Sequence, residues 1–227
     1  MPASAEPSAP ITYVVKQYIA DGAILMTLFY IMDPMCSWCY GFHPSINAIR
    51  EKWPQLDIQY ITGGLAPDSD EPMPIEMQNH LRSVWQQIEA RTGVSFNTEF
   101  WDTCAPRRST YPACRAVNIA AQLLDNGAAL MTQAIQQAYY QDAKNPSHNS
   151  TLIALAVSIG VNKEDFSAAL TSQEAQRTLE ENIEFAHALG AQGFPALRYE
   201  DKGQYYRVSD GYAAPETIIK RLENLIQ

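Results

Sequence analysis

Hydrophobic and polar positions along the chain change period several times, and each change marks an element. Ile24 to Met32 is a continuous apolar run closed by Asp21 and Asp33, the pattern of a strand buried on both faces. Before it, Ile11 to Ile19 is rich in β-branched and aromatic residues, and Asp21-Gly22 between them is a turn dipeptide. The two segments therefore read as an edge strand beside a central one. From Cys36 to Trp53 the apolar spacing becomes helical, with Gly41 and Pro44 placed to bend the first part, because Pro44 lacks the N–H that a preceding turn needs. Leu56 to Leu65 returns to strand character and passes through Gly63-Gly64 as it ends. Strand, helix, strand is a βαβ unit, which favours a parallel pair.

A Pro- and Asp-rich connector, Ala66 to Pro74, then leads into about a hundred residues of helical spacing. Thr110 is placed to cap a helix near Tyr111-Pro112 that Gly127 would end; Ala128 to Tyr140 and Ser150 to Gly160 follow as helices. Thr171-Ser172-Gln173-Glu174 fits a capping box opening a helix to Leu189, stopped by Gly190. Phe194 to Glu200 and Gln204 to Ser209 flank Asp201-Lys202-Gly203 as a hairpin, and Pro215 opens a last helix with Ile218, Ile219, Leu222, Leu225 and Ile226 on one stripe. The order is βαβ, helical block, αββα. It predicts an α/β layer built from 11–65 and 173–227, an inserted all-α domain over 66–172, and a disordered tail over 1–10, where MPASAEPSAP is too small and proline-rich to bury much.

Composition narrows the class. The 227 residues are 46% hydrophobic and 18% charged, and size scaling allows about 72% of the unfolded surface to be buried, so the core needs no cysteine staples. Lys and Arg number 16 against 25 Asp and Glu, a net charge of −9 with no basic run longer than Arg107-Arg108, which argues against nucleic acid and anionic membrane surfaces. The longest apolar stretch is nine residues, about half of what spans a bilayer. The first ten residues hold Glu6 and no Lys or Arg, unlike a secretory leader; the expected location is cytoplasmic, a periplasmic one requiring a leader that has been removed.

Among the four cysteines, Cys36 and Cys39 stand in a Cys-Ser-Trp-Cys motif where a strand feeds a helix. A helix N-terminus offers unpaired N–H groups that favour thiolate, and the i, i+3 spacing puts both sulfurs on one face, Cys36 at the tip and Cys39 a turn deeper. Cys36 is thus the attacking thiol and Cys39 the resolving one. CxxC pairs also bind zinc, but such a site needs a second pair or two nearby histidines; Cys104 and Cys114 are ten apart, and no metal site is expected. His43, His80, His148 and His187 are scattered and read as surface or capping residues. Gly193-Phe194-Pro195 precedes a strand, as either a rigid start to it or a cis-proline loop near Cys36 that offers backbone groups to an extended peptide. Trp38, Tyr40 and Phe42 are candidates for an apolar rim around the sulfur, and Trp53, Trp85 and Trp101 for the core.

The segments Asp33 to Phe42 (DPMCSWCYGF), Ser109 to Arg115 (STYPACR), Gly193-Phe194-Pro195-Ala196 and Ser209-Asp210-Gly211-Tyr212 together resemble the DsbA-like thiol–disulfide oxidoreductases, in particular the FrnE-like branch of protein-disulfide isomerases. The resemblance implies a thioredoxin-like α/β fold with the helical insertion, Cys36 and Cys39 as the catalytic pair, and Pro195 as a cis-proline, with Phe194 and Trp38 against the substrate. Trp38 stands where periplasmic DsbA has a thiolate-stabilising histidine, which implies a couple less oxidising than the approximately −120 mV of DsbA. The expected partners are protein or peptide thiols and disulfides, with glutathione as co-substrate or a thioredoxin-type reductant, and no cofactor beyond the cysteine pair. Arg107-Arg108 could meet a glutathione carboxylate. Cys104 and Cys114 stay open between free thiols, an auxiliary disulfide and a relay to Cys36. Competing readings are a glutathione-dependent isomerase of the hydroxychromene carboxylate type, which usually has serine in place of CxxC, and a zinc or partner-binding module.

Overall fold

The computed structural model describes residues 26–226, so the tail over 1–10, the strand over Ile11 to Ile19 and the Asp21-Gly22 turn lie outside the described residues. Strand β1 (Thr27–Met32) is buried at every position, as its unbroken apolar run requires of an interior strand. It pairs in parallel with β2 (Asp57–Thr62) and antiparallel with β3 (Ala196–Asp201), which pairs antiparallel with β4 (Gln204–Asp210), giving the order β2-β1-β3-β4. The β3–β4 turn has Lys202 and Gly203 both at positive φ, the geometry that matches hairpin twist.

Period-two alternation sends Leu28, Tyr30 and Met32 to one face of the sheet and Phe29 and Ile31 to the other. The first face packs against α1 (Ser37–Gly41), α2 (His43–Lys52) and α10 (Pro215–Glu223), through Phe42, Ile46, Ile49, Ile218 and Leu222. The second packs against Phe185 and Ala186 of α9 (Gln173–Ala188). Between β2 and α9 run α3 (Ile75–Thr92), α4 (Phe100–Thr103), α5 (Tyr111–Leu123), α6 (Gly127–Tyr140), α7 (Asn149–Ser158) and α8 (Lys163–Leu170). Their core is aromatic at its centre: Trp85 stacks on Phe96 at 4.9 Å and meets Trp101 at 4.7 Å. This is a mixed four-stranded sheet flanked by helices, the α/β architecture that the sequence resemblance implies. Among the described residues no helix is long and apolar enough to cross a membrane.

The structure differs from the sequence expectations at several helix ends, each for a local reason. The helix after Cys36 is broken at Phe42, with Pro44 in the first turn of α2, and Gly41 sits where a Cβ would come 2.8 Å from Ile88 Cγ2 of α3. Gly127 does not end α5 but opens α6, because a Cβ there would lie 1.9 Å from the Ala120 carbonyl oxygen of α5; Asn126, at φ 56°, makes the turn instead. Ser172, one residue later than the predicted box, caps α9 by accepting from the Ala175 N–H at 3.1 Å, and Glu174 pairs with Arg177. Thr110 holds the N-cap position of α5, but its hydroxyl makes no cap bond and is engaged elsewhere.

Candidate active site

Cys36 is the residue before the first turn of α1, in extended conformation, and its N–H donates to the Asp33 carbonyl at 3.0 Å while its own carbonyl accepts from Tyr40. Asp33 to Cys36 thereby form a tight turn off the end of β1, with Pro34 and Met35 at its centre, that presents Cys36 at the surface of a cavity of about 590 Å³. Cys36 is 9% exposed and Cys39 is 0% exposed, so the two thiols differ in access and only the first faces the cavity. Burial pushes the Cys39 thiol well above its ordinary value, and the neighbouring Cys36 adds to the shift. All four cysteines are free.

Across the cavity the Phe194–Pro195 peptide bond is cis, and the Phe194 carbonyl oxygen lies 3.9 Å from Cys36 Sγ. The Phe194 ring covers Gly63, where a Cβ would fall 2.0 Å from its Cε1; the glycine after β2 is what lets the ring lie there. Trp38 lines the same cavity and meets Tyr212 at 5.8 Å between ring centres. The other two rim candidates are elsewhere. Phe42 is wholly buried under the sheet, and Tyr40 stacks on Tyr140 at 4.6 Å, facing the helical block.

Behind Cys36 lies Asp33, whose carboxylate is fully buried and fully used. Oδ1 accepts from the Met35 N–H at 2.8 Å; Oδ2 accepts from the Leu65 N–H at 2.8 Å, the Thr110 hydroxyl at 2.7 Å and the Cys114 thiol at 3.4 Å. This single side chain ties the Cys36 turn to the loop after β2 and to α5. Burial pushes its carboxyl up, with the four hydrogen bonds opposing, and burial, then Asp33, pushes the Cys114 thiol well up. Cys104, in contrast, donates to the Ala143 carbonyl at 3.0 Å, so the structure brings Cys114 to the back of the Cys36 turn and gives Cys104 a separate partner. Tyr140 adds a further brace by donating to the Met35 carbonyl at 2.7 Å.

The cavity also gathers groups the sequence had scattered. His80 from α3, His187 from α9, and Arg107 and Arg108 from the loop before α5 all line it. Arg107 pairs with Asp70 at 2.7 Å, whereas Arg108 is exposed and makes no ion pair among the described residues. No spacing rule signals this meeting; only the fold places α3, α9 and the Arg107-Arg108 loop around one opening. Asp33 had a signal, an acid three residues before Cys36 at the end of an apolar strand, that its motif context left without a role. Among the described residues no group of three or more His, Cys, Asp or Glu is placed to hold a metal ion.

With this geometry, the chain is similar to several known proteins. A candidate protein disulfide isomerase from Nitrosomonas europaea superposes with a TM-score of 0.79 at 29% identity, covering 89% of this chain and 98% of that one. The cytosolic disulfide reductase DsbM from Pseudomonas aeruginosa, also solved with GSH, gives 0.73 at 25% identity over 88% of this chain and 98% of that one. The ClpXP adapter protein SpxH of Bacillus subtilis is 24% identical over 86% of this chain, which spans 66% of that relative's length. Residues 28–223 match the DSBA-like thioredoxin domain, and with a match across nearly the whole described chain the protein belongs to that family.

Proposed function

We propose that the protein is a dithiol reductase of protein, peptide or glutathione disulfides, with Cys36 as nucleophile and Cys39 as resolving thiol. The observation that carries this is the asymmetric pair: one thiol at the cavity surface opposite the Phe194 carbonyl, its partner wholly buried one turn behind. Cys36 thiolate attacks a substrate disulfide, one substrate sulfur leaves as a thiolate and is protonated, and the other stays bonded to Cys36. Cys39 then displaces it, closing the Cys36–Cys39 disulfide; two electrons pass from the protein to the substrate. Phe194 and Pro195 present backbone to an extended chain, and Trp38 supplies an apolar wall. Reduction is the favoured direction because Trp38, beside Cys39, offers no thiolate-stabilising imidazole, and a dithiol whose reduced form is not stabilised as thiolate gives up electrons more readily. A compartment that keeps thiols reduced, the cytoplasm, suits that direction.

Insulin reduction driven by glutathione tests the reading. Cys36→Ser is expected to abolish it, and Cys39→Ser to halt at a mixed disulfide visible by mass spectrometry after acid quench. Full activity in Cys36→Ser overturns the reading. The cationic groups around the cavity favour one second reading, a glutathione-dependent isomerase acting on a small electrophile; that activity would survive Cys39→Ser.

A further inference from the structure

A second cavity, of about 110 Å³, lies against Cys39 and shares no lining residue with the one that Cys36 faces. It is lined by Tyr30 of β1, Tyr60 of β2, His43 and Arg50 of α2, and Thr132 and Gln136 of α6, and it runs from the buried Cys39 to the exposed Arg50 and Gln133. Resting on the dithiol reading above, we propose that this cavity is the proton exit for the resolving thiol, with His43, through water held beside Thr132, accepting the proton that Cys39 loses before it attacks the mixed disulfide.

Of the groups that face Cys39 or share its cavity, one can take up its proton. Asp33 is nearby, but its oxygens are already taken by Met35, Leu65, Thr110 and Cys114, and it lines neither wall of the second cavity. Tyr30 donates to the Cys39 carbonyl at 3.4 Å and burial holds its phenol firmly protonated, so it cannot accept. Tyr60 is likewise kept protonated by burial and accepts from the Arg50 guanidinium at 2.9 Å. Arg50 is a fixed cation, and α6 contributes only the uncharged Ala129, Thr132, Gln133 and Gln136. His43 remains. Burial and then Arg50 lower its imidazole from the ordinary value, which leaves it neutral and able to accept near pH 7.

The second observation is Thr132, buried at 4% exposure with a hydroxyl that has no hydrogen-bond partner in the protein. A buried hydroxyl left unpaired is costly, and a cavity this size has room for several waters that would both satisfy it and link Cys39 to His43. The step balances. The Cys39 S–H bond breaks and its proton passes through water to the imidazole; the thiolate pair forms the Cys39–Cys36 bond as the Cys36–substrate bond breaks. The substrate leaves as a thiolate that takes a proton from solvent, and imidazolium returns its own to solvent at the open end. No outside oxidant is involved beyond the substrate disulfide.

The test is single-turnover reduction of glutathione disulfide by the reduced full chain across pH, with acid quench and mass spectrometry to count the Cys36 mixed disulfide. In the wild type, resolution is expected to slow in acid through an inflection below the ordinary imidazole range. His43→Asn should accumulate mixed disulfide, resolve at least about tenfold slower near pH 7 and lose that inflection. Arg50→Gln, a surface change that leaves the imidazole in place, should move the inflection to higher pH, because the cation that lowers it is gone. A mixed disulfide that forms and resolves at the wild-type rate in His43→Asn, or an inflection that Arg50→Gln does not move, overturns the relay alone. A wild type that forms no Cys36 mixed disulfide overturns the dithiol reading and the relay with it.

Discussion

Asp33 concentrates the site's dependence on single atoms. Its carboxylate accepts two backbone N–H groups, a hydroxyl and a thiol with no solvent contact, so truncation leaves four donors facing a hole. Asp33→Ala is expected to cost about 3 kcal/mol in urea denaturation, at the upper end of what orphaned buried donors impose. Its ionisation carries a definite sign. A carboxyl whose native value is raised above the unfolded 3.8 binds more protons folded than unfolded, so its contribution to stability is largest below that value and is lost as pH rises through the native one. Wild-type stability should therefore decline more steeply above pH 4 than that of Asp33→Ala, and equal slopes would refute the assignment. The sequence made the chemistry of Cys36 and Cys39 legible because strand end, spacing and helix start are local. The role of Asp33 was not, since three of the four partners of its carboxylate lie 32, 77 and 81 residues away.

At the scale of elements, the same division holds. β1 and the β3–β4 hairpin were readable because an unbroken apolar run and a Lys-Gly turn encode burial and twist within a few residues. Helix ends that depend on a neighbouring helix were not readable. Gly127 looks like a stop signal, yet it is required by the close approach of α6 to the backbone of α5, and α5 carries Thr110 at its N-cap and Cys114 in its first turn. Gly127→Ala would drive its Cβ into the Ala120 carbonyl, and backbone cannot yield as a side chain can. A loss of about 3 kcal/mol, read as a lowered melting temperature, is expected; an unchanged melting temperature would mean the two helices slide apart freely. A comparable device holds the segment around Phe194. Arg198 of β3, almost wholly buried, donates to the Leu189 and Gly190 carbonyls at the end of α9 and pairs with Asp210 of β4 at 2.7 Å. It anchors both ends of the segment that delivers Phe194 and Pro195 to Cys36, a buried charge that no period in the sequence announces.

Across the whole molecule, the helical region and the sheet share one site. β1 and α1 supply the cysteines, while Arg107 and Arg108 reach the cavity from the loop before α5, His80 from α3 and His187 from α9. A chain of net charge −9 repels an anionic substrate at long range, so a tripeptide disulfide of net negative charge would approach against the global field unless a local one opposed it. Among the described residues lining the cavity, Arg108 is the arginine without an ion pair, since Arg107 is already paired with Asp70. Arg108→Glu is therefore expected to raise KM for glutathione disulfide about three- to tenfold at low salt, the range of an exposed charge contact, and to leave KM for the neutral 2-hydroxyethyl disulfide unchanged. The difference should vanish near 1 M salt, where the Debye length falls to about 3 Å. An equal effect on both disulfides would mean Arg108 shapes the cavity rather than its field, and no effect on either would move the substrate's carboxylates to another wall.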